Sequence, residues 1–254
     1  MPLPDRYIDS TWFVRDKAQI TYADYHNPEN VKLGCASLLK PLYSWSAAHS
    51  EPFQYQDWAS LTRQAITVSS NEAMNKIWKE CGALPILSQL TNLTSVDFGQ
   101  TAIKSWGSLM IDADMVARAY GALLTATKDD NSAAQMVALL KQVKSNQTFL
   151  LADVVKRYYP KQFENIGIKC GWYVDPEQCR LRAHAVVIVE RGNEKVFGFV
   201  ILTSVLVGKE LVSSYLKTYD KGEEVLAIHE AIAGNLMREE LSRLLHLRLN
   251  HTKT

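Results

Sequence analysis

Residues 34–45 read "GCASLLKPLYSW", placing a serine and a lysine three apart, Ser37 and Lys40, inside an otherwise apolar run. An amine on a core-facing stretch is costly to bury unless its charge is paired or removed. Taken alone, the pair fits two descriptions. One is a helix-capping serine beside a lysine that snorkels out of the core. The other is a nucleophile and its base. The rest of the chain decides between them.

Two further patterns follow. "ITVSSNEAMN" (66–75) sets Ser69, Asn71 and Asn75 in a helical context, and "IKCGWY" (168–173) sets Lys169, Cys170, Gly171 and Trp172 where strand character returns. The patterns S-x-x-K, S-x-N and K-x-G are each loose. Their order, and their placement on a helix start, a helical segment and a strand edge, match a serine acyl-enzyme set.

The surrounding periodicity frames these three stretches. "STWFVRDKAQITYADYH" (10–26) alternates and predicts two strands about a turn at "RDKA". From "NPEN" (27–30) to about residue 160 the pattern is helical. "LTRQAITVSSNEAMNKIWKECG" (61–82) predicts a helix with Leu61, Ala65, Ile66, Val68, Ile77 and Trp78 on its apolar side, stopping at Gly82. "DADMVARAYGALLTATKDDN" (112–131) and "SAAQMVALLKQVKSN" (132–146) predict two more. "NIGIKCGWYV" (165–174) and "RLRAHAVVIVERGNEKVFGFVILTS" (180–204) predict three strands, with a hairpin turn at "ERGNEK". Two closing helices follow, "EEVLAIHEAIAGNLM" (223–237), with Val225, Ile228 and Ile232 on one face, and "REELSRLLHLRLN" (238–250), whose leucines form an intramolecular packing face. Strands flank a helical middle, so both termini share one sheet. The expectation is one domain over 1–254, with a sheet lobe at about 1–33 and 166–254 and a helical lobe at about 34–165.

Composition narrows the function. A net charge of +1 across 254 residues argues against a nucleic-acid surface, which needs a basic face. The longest apolar stretch, "VFGFVILTSVLVG" (196–208), is too short to span a bilayer as a helix. Cys35, Cys81, Cys170 and Cys179 have neither CxxC pairing nor metal-like spacing with histidine, so neither a metal nor another cofactor is expected. "MPLPDRYIDSTWFV" (1–14) lacks the order of a signal peptide, which predicts a cytoplasmic protein, monomeric or homodimeric, with reduced thiols. Without secretion, the glycosylation patterns "NLT", "NQT" and "NHT" carry no weight.

The three motifs together resemble class A β-lactamases and the penicillin-binding proteins, and the likeness extends beyond them. "AITVSSNEAMNKIW" (65–78) resembles the family's S-D-N-x-A-x-N segment and "GCASLLK" (34–40) its C-S-T-F-K segment. "DMVARAYGALL" (114–124) resembles the helix after its omega loop, and "AHAVVIVERGNEKVFGFVILTS" (183–204) its closing hairpin. The resemblance implies an α+β, β-lactamase-like fold, with a five-stranded antiparallel sheet, flanking helices and an all-helical lobe. It implies Ser37 as nucleophile and Lys40 as base, with Ser69 as proton shuttle and Lys169 as a neighbouring cation. Asn71 and Asn75 would hold the lysine and a substrate amide. Cys170, Gly171 and Trp172 would contact substrate, and the backbone N–H groups of Ser37 and Trp172 would receive the oxyanion.

Two departures qualify the activity. The stretch matching the omega loop, "LTNLTSVDFGQTAIKSWGSLM" (90–110), has no glutamate and a single carboxylate, Asp97. Cys170 stands where the family places a threonine or serine that helps hold a substrate carboxylate, and a thiol is a weak donor. The leading expectation is a serine hydrolase or acyltransferase on a small-molecule amide or ester. The alternatives are a true β-lactamase, or a protein that holds a β-lactam as a lasting ester. Cys35 and Cys81 read as small core residues, His184 as a core or surface histidine, Arg180 and Arg182 as solvated strand-end residues, and His246 and His251 as surface residues. No G-x-S-x-G surrounds any serine, which disfavours a Ser-His-Asp triad.

Overall fold

Strands from the N-terminal and the C-terminal portions of the chain enter one sheet, as their alternating stretches require. The computed structural model describes residues 3–25, 27, 31–50, 58–99, 103, 105–160, 165–191, 195–217 and 222–250. In chain order the first elements are β1 (Arg6–Asp16), β2 (Gln19–Tyr22), β3 (Leu33–Gly34), α1 (Lys40–Ala48), α2 (Trp58–Thr67), α3 (Asn71–Cys81) and α4 (Ala83–Thr94). There follow β4 (Met110–Ile111), α5 (Ala113–Ala126), α6 (Asn131–Leu140), α7 (Leu151–Tyr158), β5 (Asn165–Asp175), β6 (Arg180–Arg191) and β7 (Lys195–Leu206). The chain ends with α8 (Lys209–Lys217), α9 (Gly222–His229), a π-helical turn and α10 (Asn235–Asn250).

The sheet is five-stranded and antiparallel, ordered β2-β1-β7-β6-β5. The central strands β6 and β7 are buried on both faces, which is why 183–204 reads as almost unbroken hydrophobic sequence. Alternate residues go to opposite sides. Val186, Ile188, Val200 and Leu202 pack with the helical middle, while Ala185, Val187, Phe199 and Ile201 pack with α7 and α10. Gly198 is fixed by its partner Phe13 on β1, whose ring lies 2.1 Å from where a Cβ would stand. The β6–β7 pairing runs to Arg191↔Lys195, and turn residues 192–194 lie outside the described set. So does the side chain of Val225.

In the helical middle, α1 is buried over Lys40–Ala47. A helix apolar nearly all round belongs at the centre of a bundle. Proline in its first turn suits a position whose N–H has no intrahelical partner. The single helix predicted over 61–82 is instead two, α2 and α3, separated at Val68–Ser70. Ser69 there takes φ 57°, and Ser70 caps α3 by accepting from Ala73 N–H. Val68 is 36% exposed rather than on the apolar face. Helices α4, α7 and α8 and the short β3–β4 pair were not singled out in the sequence. Arg180 and Arg182, expected to be solvated, are buried. Arg180 donates to the carbonyls of Leu3 and Pro4, and Arg182 to Asp175 and Gln178. The α10 leucines pack inward as expected, Leu241, Leu244 and Leu245 being buried in the second core.

One buried carboxylate joins the sheet to the helices. Asp9 on β1 accepts from the N–H of Ala113, at the start of α5, at 2.8 Å and from the Tyr25 hydroxyl at 2.9 Å. Burial, only partly offset by these bonds, pushes its carboxyl up to about 6 from an ordinary 3.8. The native state therefore holds this proton more tightly than the unfolded chain does. The resulting stabilisation is complete below about pH 4 and is lost as pH rises through about 6. Urea unfolding of Asp9→Asn is expected to remove this part of the pH dependence, a slope totalling about 1–3 kcal/mol across that window. An unchanged slope would show that Asp9 titrates as it does in the unfolded chain.

Candidate active site

Three chain segments meet at one cleft: the turn before α1, the break between α2 and α3, and the edge strand β5. Ser37 lies in the turn at 36–39 and not within α1, which begins at Lys40. From Leu33 to Lys40 only Ser37 escapes full burial. Ala36 takes φ 47°, a left-handed conformation that costs a non-glycine residue roughly 1–2 kcal/mol. Its N–H donates to Gly107 O, and that of Cys35 to Leu109 O, so the strained turn is stitched to the 107–109 segment. On the other side, a Cβ on Gly171 would lie 2.7 Å from the backbone nitrogens of both Ser37 and Leu38. Any side chain there would force the turn away from β5.

Lys40 is 0% exposed. Its Nζ donates to Ser69 O at 2.6 Å, Ser70 O at 3.1 Å and Asn71 Oδ1 at 2.8 Å. Burial first, and the charge of Lys169 second, pull this amine down to about 6. Three acceptors suit the ammonium, whereas the neutral amine has two protons and a lone pair. Asn71 can reconcile the two states, because turning its carboxamide replaces an acceptor with a donor. Among the described residues no hydrogen bond joins Ser37 to Lys40. Their sequence spacing alone predicted them side by side.

Lys169, 1% exposed, donates from Nζ to Ser69 Oγ at 2.8 Å, and burial brings it down to about 8. Ser69 thus serves both amines, its carbonyl taking Lys40 and its hydroxyl Lys169. The left-handed backbone at Ser69 marks where the helix must break for one residue to do this. No carboxylate is among the groups that shift either lysine. Asp97 is exposed and accepts from Gly99 N–H in a local turn.

Trp106, which the sequence reading passed over, stands where a base was sought. Its ring centre is 4.6 Å from Lys40 Nζ. Its indole N–H donates to Asn75 Oδ1 at 2.8 Å, and its carbonyl accepts from the Tyr43 hydroxyl at 2.9 Å. Asn75 therefore holds this ring and does not hold Lys40. The one sequence signal was an aromatic residue in a stretch searched only for carboxylates.

The cleft encloses about 440 Å³, with Ser37, Asn71, Trp106 and Trp172 on its lining. Cys170 is not among the lining residues. It is buried in the core beside α7 and α10, where desolvation pushes its thiol up to about 12. Strand alternation turns Cys170 away from the face that carries Lys169 and Gly171, so its assignment to substrate contact is corrected. Cys35 is also buried and held up at about 12 by desolvation, which suits a core residue. His184 is a core histidine, bonded through Nε2 to Gly34 O at 2.9 Å and kept neutral by burial, with its pKa near 3. His246 is exposed, and His251 lies outside the described residues. Among the described residues no group of three or more His, Cys, Asp or Glu is placed to hold a metal, and no helix is long and apolar enough to cross a membrane.

No protein-family model and no curated protein matches this sequence. Solved structures do. A variant of the reconstructed last common ancestor of Gram-negative class A β-lactamases is 14% identical, with a TM-score of 0.56 over 96% of this chain and 93% of that one. The extended-spectrum β-lactamase TLA-3 is 11% identical, with a TM-score of 0.56 over 92% and 94%. The β-lactamase from Streptomyces albus G is 13% identical, with a TM-score of 0.52 over 80% and 86%. At such identities the likeness establishes the fold: an antiparallel sheet and helices arranged as in a β-lactamase.

The buried amine gives a stability signature. Lys40 has a lower pKa folded than unfolded, so the unfolded chain binds the extra proton between about pH 6 and 10. Stability should rise with pH across that interval. Lys40→Met, which fills similar space without a charge, is expected to flatten the rise in denaturant midpoints. A midpoint that falls equally at every pH would identify a lysine whose ammonium supports the fold.

Proposed function

From this β-lactamase-like framework we propose an active-site-serine enzyme in which Ser37 attacks a small amide or ester and carries its acyl group as an ester. The observation that supports this reading is that Ser37 lines the cleft in the turn leading into α1, three residues before a buried amine brought down to about 6. A serine hydroxyl needs a neighbouring base before it is a useful nucleophile. An amine with a pKa near neutrality supplies one at physiological pH.

In this proposal neutral Lys40 turns its lone pair from the Asn71 carboxamide to the Ser37 hydroxyl and takes that proton, and Asn71 turns its oxygen back to accept from the ammonium so formed. The Ser37 Oγ–carbon bond forms, and the N–H groups of Ser37 and Trp172 receive the oxyanion. The bond to the leaving amine or alcohol then breaks. Ser69 gives its hydroxyl proton to the departing group and takes one in return from Lys169, whose Nζ donates to its Oγ. Asn71 lines the cleft and orients the substrate, and Gly171 lets β5 approach the nucleophile. Release of the acyl group is the slow half. Among the described residues no carboxylate acts on Lys40, and the Trp106 ring lies over its amine, so a deacylating water has neither a carboxylate base nor an open approach to that amine. That favours a lasting ester or transfer to another nucleophile over rapid hydrolysis.

Intact-mass measurement after incubation with a penicillin, and separately with an activated ester, is the direct test. A persistent added acyl mass, absent in Ser37→Ala, is expected. Fast turnover of a chromogenic cephalosporin without an adduct would make the protein a true β-lactamase. Absence of adduct with every donor, with activity unchanged in Ser37→Ala, would sink the serine mechanism. Trp106→Ala is expected to shorten the lifetime of the adduct, by about tenfold if exclusion of water is worth one hydrogen-bond-sized barrier. An adduct equally long-lived in that variant would clear Trp106 of the role.

A further inference from the structure

Among the described residues, the charges that come near the cleft are committed elsewhere. Its apolar wall is Trp106, Met110, Trp172 and Tyr173, and its polar points are Ser37, Asn71, Ser105 and Ser108, every one uncharged. Among the described residues no charged side chain lines it. Neither Lys169 nor the Ser69 hydroxyl to which it donates is on the lining, and Lys40 lies beneath the Trp106 ring with its Nζ on Ser69 O. Arg182 neighbours Tyr173, but its guanidinium is bound to Asp175 and Gln178, each at 2.7 Å. Arg180 is held by two backbone carbonyls. Cys170 faces the opposite side of β5.

We infer that the acyl donor is a neutral amide or ester with an apolar, aromatic acyl group, and that carboxylate-bearing donors are discriminated against. This rests on the acyl-transfer reading of Ser37. A carboxylate entering the cleft loses its hydration and, among the described residues, meets neither a cation nor a set of charged donors in return. An aromatic ring gains contact with two indoles, a phenol and a thioether. The volume of about 440 Å³ suits a small molecule of that kind. Asn71, Ser105 and Ser108 can hydrogen-bond the amide or ester dipole without requiring charge.

The test separates selectivity from chemistry. The full chain carrying Ser37→Ala is titrated calorimetrically with N-phenylacetyl-glycinamide and with N-phenylacetyl-glycine, which differ in one terminal group. The neutral amide is expected to bind about tenfold more tightly. Trp172→Ala should weaken its binding by about tenfold. Met110→Lys, at a position 49% exposed and tolerant of a long polar chain, should narrow the preference for the amide about fivefold. Equal or tighter binding of the carboxylate, no binding of either, or indifference to both substitutions would overturn the inference. In parallel, the wild-type chain is treated with the p-nitrophenyl ester of phenylacetic acid. An amide preference without an adduct on Ser37 would leave the selectivity and remove the acyl-enzyme. An adduct together with a reversed preference would do the opposite.

Discussion

Two amines that are scarcely exposed share Ser69, and much of the surrounding structure follows from that junction. Burying a lysine forces a choice between keeping its charge, with every proton satisfied, and surrendering it. Here no carboxylate settles the choice. Carbonyl oxygens, a carboxamide and a hydroxyl do the holding, while burial draws both amines toward neutrality. For Ser69 to face both, the helical run must break and its backbone must turn left-handed. For Lys169 to arrive, β5 must press on the turn before α1 so closely that Gly171 has no room for a side chain.

The 105–111 segment is the other half of this arrangement. It is tied to 33–36 through the β3–β4 pair and two further backbone bonds, and to α1 and α3 through Tyr43 and Asn75. A ring held at several points from both its backbone and its indole is not free to swing away from Lys40. The same segment therefore supports the strained turn on one side and closes the space above the amine on the other. Substitution there would disturb geometry and solvent access together, unlike a change at an isolated lining residue.

The sheet was legible because its signal is local and regular. Alternation marked β1 and β2, and doubly buried runs marked β6 and β7, as two-sided cover demands. The three motif stretches were legible as a group of residues that the fold brings together: Lys40, Ser69, Asn71 and Lys169 share one hydrogen-bonded junction. What periodicity could not show was an interruption in an otherwise continuous helical pattern: Ala65, Ile66, Ile77 and Trp78 fit one long helix as well as two short ones. Nor did motif matching reveal that Cys170, adjacent to Lys169, points the other way, although strand alternation alone would have said so. Trp106 escaped because its importance comes from a contact with Lys40 far away in sequence. Asn75, expected to hold the lysine or a substrate amide, accepts from the Trp106 indole instead, a contact likewise distant in sequence.

The sheet that positions Lys169 begins with the first strand of the chain and is completed by the last. Arg6 pairs with Val205 and Asp16 with Lys195, so β1 has no neighbour on its β7 side until nearly the whole sequence is present. Contacts of such long range are slow to form because the intervening chain must first be ordered. The helical middle, whose neighbours are close in sequence, can assemble earlier. A growing chain would then carry the turn at 36–39 and the three acceptors of Lys40 before β5 arrives to supply the second amine. Completion of the cleft, and with it the reaction proposed for Ser37, becomes a late event in the life of each molecule, withheld until the first and last strands have met.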